Sequence, residues 1–71
     1  MNSLPMAVSL NGERRELATG TTLDTLVAEF TATGAGVAAA VNEAVVPRSR
    51  WAQTPLGEGD RIEVLTAVQG G

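Results

Sequence analysis

The chain has a short inventory of reactive groups. Its 71 residues include no cysteine and no histidine, and its five basic residues are all arginines: Arg14, Arg15, Arg48, Arg50 and Arg61. Lacking thiols, it can form no disulfide, thiolate metal site or cysteine nucleophile. Lacking imidazole, it has neither the commonest general base nor the commonest nitrogen ligand for a metal. Lacking lysine, it offers no Schiff base and no side-chain amine to accept an isopeptide bond. What remains are carboxylates, hydroxyls and the two chain termini. A ligand pocket needs about 300 Å³ or more of shaped cavity, which a domain this small rarely encloses. The expectation is therefore a protein that is not itself an enzyme, has no metal site and binds no cofactor of its own.

Among those groups, the sharpest candidate is the pair Gly70-Gly71. Glycine has no Cβ, so the pair fits a slot too narrow for any side chain and presents its carboxylate without steric cover. Those are the requirements of a C-terminus that another enzyme activates as an acyl-adenylate. Ala67, Val68, Gln69, Gly70 and Gly71 together span about 16 Å when extended at roughly 3.3 Å each, far enough to thread into a partner's active site. A frayed end is the competing reading, because termini are often disordered and tolerate glycine.

Other polar clusters carry less. Glu58 and Asp60 flank Gly59, and with Glu63 they could form a cation site or an acid/base pair. Their spacing matches no EF-hand, and solvated turn residues are the favoured reading. Arg48 and Arg50 flank Ser49 and could hold an anion, but a solvated bend is again favoured. Trp51 reads as a core plug at the end of a sheet.

The elements that position these groups follow from periodicity. Leu4, Met6, Val8 and Leu10 alternate as in a half-buried strand. Asn11-Gly12 is a two-residue hairpin turn, and Glu13 to Leu17 returns as a charged edge strand. Thr21 or Thr22 can cap the next segment, with Asp24 three residues after Thr21 in a capping-box-like arrangement. Leu23, Leu26, Val27 and Phe30 then mark one face of a helix of about two to three turns. It ends over Thr31 to Gly36, with Gly34 and Gly36 available for left-handed backbone. Val37 to Val41 is read as a strand despite its alanines, Asn42-Glu43 as a turn and Ala44 to Val46 as a short strand. Pro47 to Trp51 forms a bend. Gly57 to Asp60 is a turn, and Arg61 to Thr66 the closing strand. One helix cannot cover both faces of such a sheet, so the fold is a two-layered α+β arrangement. The first and last strands lie side by side at its centre.

A chain this short forms one domain, burying about 60–65% of the surface its unfolded form exposes. Residues 1–66 are read as that domain and 67–71 as a loose tail. With Met6, Val8, Leu10, Val37, Val41, Ile62 and Val64 facing the helix, Ala7, Ser9, Ala38, Ala40 and Leu65 turn outward. That face is expected to be small and poor in charge, and is a possible partner-docking surface. Scattered surface alanines need no such role. The net charge of −3 argues against a nucleic-acid partner. No apolar run reaches the length of a membrane span, and Met1 to Pro5 lacks the character of a signal peptide, so a cytoplasmic location is expected.

From Val8 to Gly71 the chain resembles the ThiS family, the ubiquitin-like β-grasp sulfur carriers of thiamine biosynthesis. The resemblance lies in Leu10-Asn11-Gly12-Glu13, in Thr22-Leu23 with Leu26-Val27, and in Val41-Asn42-Glu43 through Val46-Pro47-Arg48-Ser49 to Trp51. The most specific stretch runs from Glu58-Gly59-Asp60-Arg61 through Ile62 to Gly71. It implies a β-grasp fold, with a mixed sheet of four to five strands and one helix packed on one face. It also implies that an E1-like adenylyltransferase uses ATP and Mg²⁺ to adenylate the Gly71 carboxylate. Sulfur from a cysteine desulfurase then makes a thiocarboxylate, which donates to thiazole synthase. A sulfur carrier without cysteine must hold its sulfur elsewhere than on a thiol, which suits this route. There are two departures: about five residues precede the usual family start, and Glu43-Ala44 replaces an Asn-Gly turn expected after Val41.

Two alternatives remain open from sequence. One is a sulfur carrier for molybdopterin or cysteine synthesis; the other is a ubiquitin-like interaction module or protein modifier without sulfur transfer. The Pro47-Arg48-Ser49 bend with Trp51 and the Ala67-Val68-Gln69 tail favour thiamine.

Overall fold

Alternation of apolar residues sets the sheet, as seen in a computed structural model that describes residues 5–30 and 36–66. Strand β1 (Met6–Leu10) buries Met6, Val8 and Leu10, and β2 (Glu13–Leu17) returns antiparallel with Met6 opposite Leu17 and Leu10 opposite Glu13. A short helix, α1 (Leu23–Val27), follows, then β3 (Val37–Val41), β4 (Ala44–Val46), a 3₁₀ helix (Arg48–Gln53) and β5 (Arg61–Thr66). The strand order is β2-β1-β5-β3-β4. β5 runs parallel to β1 and antiparallel to β3, so the first and last strands occupy the middle of the sheet as expected. The charged strand β2 forms one edge and the three-residue β4 the other, which limits edge-to-edge pairing with other chains.

Among the described residues, the buried apolar side chains fall in one cluster between the sheet and α1. Leu23 and Leu26 are fully enclosed and Val27 nearly so, which places the apolar stripe of α1 against Val8, Ile62 and Val64. Each such burial contributes about 1.5–3 kcal/mol. Ala39 completes the inward row of β3, with Val37 and Val41 packed beside it. Trp51 is buried under the end of the sheet, and its indole Nε1 donates to the Val46 carbonyl at 2.8 Å, satisfying its one polar atom. The 3₁₀ helix around Trp51 packs against α1. The chain after it crosses the start of α1, where Leu23 N donates to Thr54 O and Leu56 N to Thr21 O, both at 2.9 Å.

The helix differs from expectation in length and capping. It spans five residues, beyond which the bonds shorten to Glu29 N with Leu26 O and Phe30 N with Val27 O. Phe30 lies in this turn and is 42% exposed, so it is not part of the buried face. Thr22 is the N-cap, but its hydroxyl bonds the Asp24 carboxylate instead of a backbone N–H, so no capping box forms. The predicted bend after Pro47 is the 3₁₀ helix. Gly36 takes the left-handed backbone anticipated for it, at φ 72°. Gly34 lies outside the described residues, as does Leu4 at the expected start of β1.

Candidate functional site

Two regions can meet a partner: the end of β5, which leads into residues 67–71, and the sheet face opposite α1. The first is held by an uncommon device. β1 pairs with β5 through Ser9 and Leu10, then leaves the sheet at the Asn11-Gly12 turn. Asn11 N still donates to Ile62 O at 2.9 Å. Its side chain continues the ladder: Asn11 Nδ2 donates to Val64 O at 3.1 Å, and Val64 N donates to Asn11 Oδ1 at 2.9 Å. One amide thus takes the place of the next residue of a strand. On the other side of β5, Asn42 N donates to Arg61 O at 2.7 Å and Arg61 N donates to Asn42 Oδ1 at 2.9 Å. Asn42 Nδ2 reaches Asp60 Oδ1 at 3.0 Å. Both asparagines have positive φ, 51° and 52°, which aims their side chains back at β5.

The carboxylates weighed as a cation or acid/base site serve the turn before β5 instead. Glu58 Oε1 accepts from Ala7 N at 2.8 Å, and Asp60 Oδ2 accepts from Gly57 N at 2.7 Å. Glu63 is separate from them, exposed on the outer face of β5. Arg48 and Arg50 are exposed on the 3₁₀ helix.

The outer face carries all five residues expected there, in two places. Ala38, Ala40 and Leu65 border an open groove of about 270 Å³ over β3, whose remaining lining includes Val45, Glu43 and Glu63. Ala7 and Ser9 sit half-buried on β1, across β5 from that groove. The face is more charged than anticipated. Register places Arg14 opposite Ser9 and Glu16 opposite Ala7, and the alternation of β5 turns Arg61 and Glu63 outward. The apolar character concentrates in Val45 and Leu65, which are 75% and 70% exposed. Val45 and Glu43 were missed as candidates, and Glu63 was weighed only for a cation or acid/base site, not for this face. Their signal was the period of two in Ala44–Val46 and Arg61–Thr66, which turns Val45 and Glu63 to the outer side. Ala67, Val68, Gln69, Gly70 and Gly71 lie outside the described residues.

A mixed sheet in this order, with one helix across one face, defines a β-grasp protein of the ubiquitin-like class. In structure the chain is similar to the thiamine biosynthesis protein ThiS of Geobacter metallireducens. The TM-score is 0.77 at 25% identity, over 93% of this chain and 100% of the other. In sequence it is 33% identical over 66 residues to the sulfur carrier protein ThiS of Escherichia coli K12, covering 93% of this chain and 100% of that protein. It is also 32% identical over 66 residues to a thiazole synthase of Paramagnetospirillum magneticum, covering 93% of this chain and 20% of the synthase. The ThiS family model matches residues 8–71. The chain belongs to the ThiS family, whose characterised members include sulfur carrier proteins.

Proposed function

We propose that this protein carries sulfur for thiazole formation in thiamine biosynthesis, holding it as a thiocarboxylate on Gly71. The observation that carries this reading is the family match, which continues through Ala67-Val68-Gln69-Gly70-Gly71 to the last glycine. In the first step an E1-like adenylyltransferase joins the Gly71 carboxylate to the AMP moiety of ATP, with Mg²⁺ bound by that partner, and pyrophosphate leaves. In the second, the outer sulfur of a persulfide drawn from a cysteine desulfurase forms a C–S bond at the acyl carbon and AMP departs, and a thiol reductant then cleaves the S–S bond of the acyl disulfide. The resulting thiocarboxylate is the sulfur donor to thiazole synthase. Residues 1–66 act as the folded handle and residues 67–71 as the segment that enters each active site, with Gly70 admitting the narrow approach. The partners supply the catalysis, and the carrier works with them in the cytoplasm. The thiazole synthase relative favours this product over molybdopterin or cysteine.

Intact-mass measurement tests this. Protein purified from cells that also make the adenylyltransferase is expected to include a population with one oxygen exchanged for sulfur, and deleting Gly71 removes that population while leaving the folded spectrum unchanged. Only unmodified acid, or only isopeptide adducts, would falsify the sulfur-carrier reading.

A further inference from the structure

The groove on the outer face is a trough built by residue size. β3 places Ala38 and Ala40 between taller neighbours, with Ala40 facing Val45 of β4 on one side and Glu63 of β5 on the other, and Ala38 facing Leu65. A low central strand between two higher ridges leaves about 270 Å³ of open space, below the roughly 300–1,000 Å³ of a small-molecule pocket. The space suits one extended side chain. Among the described residues its lining is apolar except for two carboxylates, Glu43 and Glu63, and includes no basic residue. Glu63 has no ion-pair partner among the described residues. Glu43 pairs with Arg61 at 3.3 Å, but both side chains are more than half exposed, and such pairs exchange at little cost. An apolar trough ending in acid is complementary to a side chain with an aliphatic stem and a cationic head.

We propose that this trough receives an arginine or lysine side chain of thiazole synthase, its stem lying over Ala38 and Ala40 and its cation meeting Glu63 and Glu43. The assignment rests on the carrier reading above. Thiazole synthase is the partner because a chain of that name contains a segment similar to this protein. The contact lies on the strands of the handle, so it sets how tightly the carrier docks and not which atom reacts.

The test titrates the full-length protein into thiazole synthase by calorimetry at several salt concentrations. The double variant Glu43→Gln with Glu63→Gln is expected to raise Kd roughly tenfold and flatten its salt dependence, the signature of a charge contact across an interface. Ala40→Ile, which improves strand propensity while filling the trough, is expected to weaken binding by a similar factor with an unchanged melting curve. Unchanged Kd in both folded variants overturns the proposal and leaves the carrier reading standing. A loss confined to the adenylyltransferase step, read as a raised KM for adenylation with synthase binding intact, also overturns it. Failure of the unaltered protein to bind thiazole synthase overturns the thiazole reading together with this one.

Discussion

The two hairpin turns of the sheet have the same shape and different chemistry. Asn11-Gly12 joins β1 to β2 and Asn42-Glu43 joins β3 to β4, each with two successive residues at positive φ. This is the turn whose twist matches that of its flanking strands. Asparagine opens both turns and in both bonds the backbone of β5. At the second position the turns part. Gly12, at φ 86°, occupies left-handed space freely, whereas Glu43, at φ 74°, holds a residue with a Cβ where L-residues lose about 1–2 kcal/mol. Strand pairing and the Asn42 bonds over-determine the second turn enough to hold it there. The β1 turn is optimised for the fold, while the β3 turn gives up backbone comfort and places a carboxylate beside the trough.

The largest effect should come from the first turn. Asn11→Ala removes both partners of the part-buried Val64 N–H and C=O, and leaves alanine at φ 51°. A loss of about 3 kcal/mol is expected in urea unfolding, from two unsatisfied backbone groups and a poor turn residue. Asn42→Ala should lose less, about 1–1.5 kcal/mol, because its bonds are exposed and water replaces them. Equal losses would erase the distinction between the clamps. Smallest and opposite in sign, Glu43→Gly should gain about 0.5–1 kcal/mol by relieving the left-handed glutamate, even though the Arg61 pair is lost. A net loss would show that this ion pair outweighs the backbone term.

Much of this architecture was legible from pattern alone. All five strands fall where apolar spacing and turn residues put them, because period two is a direct imprint of one buried face. Asn42-Glu43 read as a turn despite its lack of glycine, and its geometry holds. The helix was harder. Leu23, Leu26 and Val27 share a face, and extending that period to Phe30 presumes a helix that runs on past Val27, where this one ends. The outer face was legible residue by residue but not as a surface. Alternation turns Ala38, Ala40 and Leu65 outward, yet only strand order shows that β5, which carries Leu65, lies between Ala38 and Ala40 on β3 and Ala7 and Ser9 on β1. Register likewise puts Arg14 and Glu16 on a face expected to lack charge. Nothing in local sequence announces that the Asn11 amide serves as a strand residue for Val64, since its partner is 53 positions away.

The central place of β5 has a mechanical consequence. A partner that draws on the residues after Thr66 pulls along the axis of a strand flanked by β1 and β3. Load applied in that direction shears both ladders at once and is shared among many bonds, whereas an edge hairpin pulled at its end would unzip them singly. The asparagine anchors add resistance on either side. Traction on the tail is therefore borne by the middle of the molecule, and the domain can be held taut by its end without coming apart.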